Sequence, residues 1–200
     1  EADVRSDLLE LSGEEKNSGF RGRAVFYNLK LDNQVVENAA WAYPDEPNEN
    51  RPDLRGMIAF KRGALDKWYE EEEEAIGHPR DPHHRVDVYR SSRKVRIEVD
   101  GVAVAESERP YVLQETGFPP RYYIPQEDVT MDYLTPTDTH TICPYKGESS
   151  YWSIKTTGDS HADLAWAYPS PLPGMERLAG TIAFYNEKLD VYIDGEHEAK

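Results

Sequence analysis

Three short stretches hold most of the residue types that could do chemistry. The first is Glu115-Thr116-Gly117-Phe118-Pro119-Pro120-Arg121-Tyr122-Tyr123, a carboxylate ahead of a Gly-Phe-Pro-Pro turn and two tyrosines. In an extended chain neighbouring side chains point to opposite faces, so one tyrosine is expected to face the interior near Glu115. The second runs from Cys143 to Ser153 and brings a thiol, an amine (Lys146) and two phenols (Tyr145, Tyr151) close to a Pro/Gly loop. The third is Ala165-Trp166-Ala167-Tyr168-Pro169, where Trp166 and Tyr168 share one strand face. Assembled, these give a pocket with aromatic walls, one cation and one carboxylate, suited to a small polar or anionic molecule with a flat apolar part. Tyr123, Tyr151, Trp166 and Tyr168 are the expected ligand-binding residues. Lys146 is cast as electrostatic anchor or base and Glu115 as its acid/base partner, because burial lowers a lysine pKa and raises a glutamate pKa. The same aromatics also suit core packing, and a Lys–Glu pair also suits pinning a loop. Whether the pocket turns a substrate over stays open.

Other chemistries find less support. Cys143 is the single cysteine of 200 residues, which excludes an intrachain disulfide and a four-thiolate zinc site. His78, His83 and His84 lie in a Gly/Pro stretch beside arginines, with no acidic or thiol ligand at a diagnostic spacing; structural or hydrogen-bonding roles are expected. A metal-dependent enzyme built from His140, Cys143 and His161 is the weakest reading, and no metal site is expected. No Walker loop or G-x-G-x-x-G is present, and no cofactor is expected. A net charge of −15 opposes phosphate backbones and anionic lipids, so neither nucleic acid nor membrane is an expected partner. With 30% charged residues, and no apolar run of membrane-spanning length, the composition points to a soluble, cytoplasmic protein.

The elements that must position these residues read as all-β with minor α. Lys94–Val99 and Val102–Ala105 alternate around Asp100-Gly101, a two-residue hairpin turn. Further strands are expected at Arg121–Ile124, Thr139–Cys143, Ser150–Lys155, Leu164–Tyr168, Gly180–Tyr185 and Leu189–Ile193. Earlier in the chain, Arg23–Leu31, Ala39–Tyr43 and Met57–Lys61 should correspond. Leu65–Ala75, with its acidic run Glu70–Glu74, is the one helical candidate, its carboxylates forming a solvated face.

The chain contains most of one segment twice. Ala40-Trp41-Ala42-Tyr43-Pro44 recurs at 165–169, an offset of 165 − 40 = 125, and Gly56–Phe60 recurs at 180–184, an offset of 180 − 56 = 124. Register kept over such a stretch indicates a duplicated domain. The expected organisation is a partial first repeat at 1–76, a linker at 77–86 and a complete second repeat at 87–200. The first copy lacks a counterpart of residues 93–125. The chain is therefore read as the C-terminal part of a longer tandem protein, or as a degenerate half-domain. Missing strands would leave edges open, which favours an interaction module that pairs with a second copy of the chain or with a retained N-terminal fragment. At offset 125 the stretch Cys143–Gly147 corresponds to Ser18–Gly22, Tyr145 to Phe20 and Tyr151 to Phe26. The aromatic framework persists while the thiol and two phenols are found in the second copy alone.

A family resemblance rests on the same residues. The order of a strand hairpin, E-T-G-x-P-P-x-Y-Y-x-P-x-E-D-V, C-P-Y-K-G-x-x-S-Y-W-S, A-W-x-Y-P and A-G-x-I-A-F-Y resembles the domain-of-unknown-function family 427 in tandem form, over residues 93–196 and 3–73. The resemblance implies a β-tent fold, two antiparallel sheets pinned at one end, commonly by zinc. The paired C-x-x-C ligands of such a pin are absent. The family is also filed under a nucleotidyltransferase-like name, yet the chain has neither a Gly-Ser dipeptide nor a D-x-D pair to hold metal and triphosphate. The resemblance implies no reaction, and the best functional expectation is an aromatic small-molecule pocket in the second repeat.

Overall fold

A computed structural model describes residues 3–47, 50 and 52–198. The chain divides into two compact units, 1–74 and 75–200. Both are built of antiparallel sheets, in keeping with the all-β expectation, and among the described residues the only helical turns are short 3-10 segments. Residues 1–2 and 199–200, the outer ends of the two expected repeats, lie outside the described residues.

In the first unit β1 (Leu9–Ser18), β2 (Gly22–Leu31), β3 (Gln34–Ala42) and β4 (Ile58–Phe60) form one meander in that order. The expected helix at Leu65–Ala75 is absent. In its place β5 (Tyr69–Glu70) and β6 (Glu73–Glu74) make a small hairpin with Glu71 at φ 54°. Adjacent carboxylates repel along any helix face, whereas the hairpin lets Lys67 reach Glu74 at 2.7 Å. Carried past Asp66, the repeat comparison holds the signal: Tyr69–Glu73 matches Tyr192–Glu196, whose Asp194-Gly195 is a plain hairpin turn.

The second unit contains β7 (Val86–Arg90), β8 (Val95–Val99), β9 (Val102–Ser107), β10 (Tyr111–Glu115), β11 (Arg121–Pro125), β12 (Leu134–Cys143), β13 (Gly147–Ile154), β14 (His161–Ala167), β15 (Thr181–Phe184), β16 (Asp190–Ile193) and β17 (Glu196–His197). One sheet has the order β12-β13-β14-β15-β11-β10-β7, the other β17-β16-β8-β9. The Asp100-Gly101 turn joins β8 to β9 with φ of 52° and 76°, the left-handed pair that matches strand twist. The main core lies between the sheets, with Val95, Ile97 and Val191 facing Ile124, Ile182 and Phe184. Each such fully buried side chain contributes about 1.5–3 kcal/mol.

Strand alternation then dictates what the other face of the large sheet carries. Tyr122 and Ile124 enter the main core, so Tyr123 between them joins a second cluster with Leu113, Tyr168, Leu178 and Ala183. Both tyrosines are thus buried, in different clusters, where one interior tyrosine was expected.

The backbone irregularities are duplicated along with the strands. The β1–β2 register breaks between Leu11 and Glu15, and β12–β13 between Pro136 and His140, 125 residues on (136 − 11). The β2–β3 break between Tyr27 and Leu29 recurs between Trp152 and Ile154. Asn38 and Asp163 take φ of 51° and 52° at equivalent positions. In the second unit Asp163 accepts hydrogen bonds from Thr137 (2.6 Å) and Thr139 (2.8 Å), tying one bulge to the other on either side of Tyr151.

Candidate functional site

Strand pairing lays one row of residues across the outer face of the large sheet. Tyr111 pairs with Tyr123, Tyr123 with Ala183, Ala183 with Trp166, and Trp166 with Tyr151. Ala183, the small member between larger neighbours, is fully buried. Above the sheet opens a cavity of about 220 Å³. All six residues singled out from the sequence, Glu115, Tyr123, Lys146, Tyr151, Trp166 and Tyr168, line it.

Lys146 arrives from the β12–β13 turn, closed by the pairing of Cys143 with Gly147 and by Lys146 N–H to the Cys143 carbonyl. Gly147, at φ 110°, is required there: a Cβ would lie 3.2 Å from the Ser170 carbonyl oxygen. Leu172 N–H donates to the Lys146 carbonyl, so the 170–172 loop folds over the lysine backbone. Glu115 ends β10 on the face that carries Leu113 and, through the Leu113–Arg121 pair, Arg121. Lys146 Nζ lies 2.5 Å from Glu115 Oε2, with both side chains at most 14% exposed. His84 Nε2 donates to the other carboxylate oxygen at 2.9 Å. Burial pushes the Glu115 carboxyl up, but the lysine and histidine hydrogen bonds outweigh it and hold the group below the usual carboxylate range. That corrects the expected upward shift: desolvation acts, and two donors defeat it.

The phenols behave differently. Tyr123 accepts a hydrogen bond from Trp166 Nε1 at 3.3 Å, leaving its own proton for another partner. Tyr151 shares a hydrogen bond with Thr141, which shares another with Ser149. Tyr168 is 94% buried, and its hydroxyl has no hydrogen-bond partner among the described residues. Burial pushes the Tyr123 and Tyr168 phenols well above their ordinary range, so both stay protonated.

Sequence reasoning missed several contributors. Arg121 holds Phe184 O, Asn186 and Glu187 and lies 5.4 Å from the Trp166 ring centre. Tyr185 packs on Trp166 at 4.6 Å. Both follow from β11 pairing with β15, a contact between distant segments that no local pattern announces. His84 and its neighbours come from the stretch read as a linker, which lies within the second unit. There Arg80 donates to Pro144 O, Asp81 N–H to the Tyr145 hydroxyl, and the His84 ring stacks on Tyr145 at 4.6 Å. The hydrogen-bonding role expected for these histidines is thus filled by His84.

The residues of the metal reading do not converge. His161 pairs with Asp100 and His140 approaches Glu148 at 3.4 Å, while Cys143 packs beside the Tyr123 cluster. Among the described residues no three His, Cys, Asp or Glu side chains form a metal-holding group. Among them, too, no helix is long and apolar enough to cross a membrane.

A comparison with curated proteins gave no match. One family model, described as Domain of unknown function (DUF427), matches residues 1–71 and 87–195.

Proposed function

Since the chain belongs to the DUF427 family, with one matched segment in each unit, the site must speak for the function, and we propose that the second unit is a small-molecule-binding module. The observation that carries this reading is the cavity walled by Tyr123, Tyr151, Trp166 and Tyr168 and edged by the Lys146–Glu115 pair. At about 220 Å³ it falls below the roughly 300 Å³ at which drug-sized sites begin, so the ligand is a compact metabolite. The state of Glu115 argues against a general-acid role for it. A carboxyl held below its usual range is ionised at neutral pH and is a poor general acid. In this reading Lys146 anchors the ligand and Glu115, steadied by His84, orients Lys146. A β-tent arrangement is part of the proposal, supported by the two antiparallel sheets that close one core.

Native mass spectrometry of the intact chain, repeated after denaturation, tests the reading. A mass excess of metabolite size that is lost on denaturation supports it. A bare chain that no member of a metabolite panel stabilises against heat would sink it.

A second reading has its own observation. Among the described residues β4 pairs with β3 alone, whereas its counterpart β15 pairs with β14 on one side and β11 on the other. An edge of that kind accepts a strand from another chain, which makes the first unit an interaction module. Light scattering that returns a monomer at all concentrations removes it.

A further inference from the structure

Resting on the pocket reading, we infer that the second-unit ligand is a compact planar anion, its oxygens held by the Tyr168 hydroxyl and the Lys146 ammonium over the Trp166–Tyr151 wall. Glu115 is the one carboxylate lining the cavity, and both of its oxygens are engaged, one by Lys146 and one by His84. Lys146 carries three N–H donors and gives one to Glu115. The Tyr168 hydroxyl gives none, and the Tyr123 hydroxyl accepts from Trp166 and keeps its proton. Two Lys146 N–H groups and the Tyr168 and Tyr123 hydroxyl protons are therefore left for a ligand to accept, and a buried donor left unmet is costly.

Charge points the same way. Lys146 and Arg121 both line the cavity against Glu115 alone, in a chain whose net charge is −15. Arg121 is bound by Glu187, which is not part of the lining, so the cationic groups face the cavity while one of their two balancing carboxylates stands outside it. The walls select for flatness. The Trp166 and Tyr151 ring centres lie 6.5 Å apart at 32°, and Tyr185 packs on the indole at 4.6 Å, which gives the cavity an aromatic wall. A ligand cation would meet the Lys146 ammonium and a carboxylate already bonded by both Lys146 and His84.

Titration of the intact chain with three matched probes tests this: benzoate, benzamide and benzylamine, followed by calorimetry and by ligand-observed NMR. Benzoate should bind with the highest affinity. Tyr168→Phe, which removes a hydroxyl without a partner among the described residues, should weaken benzoate by about tenfold or more. Tyr43→Phe, the equivalent change in the first unit, should leave benzoate affinity unaltered. Benzamide or benzylamine binding as tightly as benzoate would overturn the anion assignment and leave the pocket reading standing. Unchanged benzoate affinity in Tyr168→Phe would overturn the assigned contact. Failure of all three probes to bind would overturn both the anion assignment and the pocket reading.

Discussion

The two units carry the same row of residues with different chemistry around it. In the first, Phe26 pairs with Trp41 and Trp41 with Ala59; in the second, Tyr151 pairs with Trp166 and Trp166 with Ala183. Each row lies beside a hollow, about 320 Å³ in the first unit and about 220 Å³ in the second. In the first, Lys16, Ala24 and Phe26 stand where the second has the hydrogen-bonded trio Thr141, Ser149 and Tyr151. Arg21, the counterpart of Lys146, is exposed, while Lys146 is 8% exposed and paired. Phe20 is 63% exposed where Tyr145 is stacked on His84. The sheet and its bulges therefore suffice to make an aromatic hollow. The donors, the ion pair and the bound segment before β7 distinguish the unit proposed to bind.

The largest test of that contrast is the cation. Lys146→Ala leaves Glu115 buried with His84 alone and should cost the second unit about 3–5 kcal/mol in chemical denaturation. Arg21→Ala should change the first unit by less than about 0.5 kcal/mol. Equal losses in the two variants would erase the distinction.

Acid should separate the units next. Because the folded Glu115 value lies below the ordinary one, its contribution is complete above the ordinary carboxylate range and is lost as pH falls through the folded value. Urea midpoints taken from about pH 7 to pH 3 should fall more steeply in the wild type than in Glu115→Gln. In the first unit Arg55 holds the exposed Asp53 carboxyl down to about 2. Salt at about 0.5 M should raise the Asp53 titration measured by NMR and leave that of Glu115 in place, because only the exposed pair is screened.

The smallest effect belongs to the hairpins. Glu71 and Asp194 both sit at φ 54°, but aspartate tolerates this region better than glutamate. Glu71→Gly should stabilise the first unit by about 0.5–1 kcal/mol in thermal unfolding, and Asp194→Gly should do less for the second. The reverse order would mean that the turn in the first unit is held by contacts rather than strained.

What could be read from the chain follows from how local each signal is. The β8–β9 hairpin was legible because alternation and Asp100-Gly101 lie within a dozen residues. Four pocket residues could be singled out because the copies differ around Tyr151 and Lys146 while agreeing at Trp166 and Tyr168, and Glu115 and Tyr123 because they flank the Gly-Phe-Pro-Pro turn. β7 and β10 were missed: Val86–Arg90 follows a Gly/Pro-rich stretch, and Tyr111–Glu115 owes its pairing to β7 and β11. Arg121, Tyr185 and His84 join the site through contacts spanning 19 to 66 positions, which no local pattern reports. The misread helix had the opposite fault, since five consecutive glutamates fit a helix by propensity and the deciding evidence lay in the other repeat.

The segment ahead of β7 has a practical consequence for dissection. Its Arg80, Asp81 and His84 are fastened to Pro144, Tyr145 and Glu115, and Gly77 lies so close that a Cβ would come within 3.2 Å of the Pro144 ring. A second unit cut at the apparent start of its repeat, residue 87, would be severed from its own clasp. A fragment beginning at Ala75 keeps it, so the boundary useful for expression lies a dozen residues upstream of the one that duplication alone would draw.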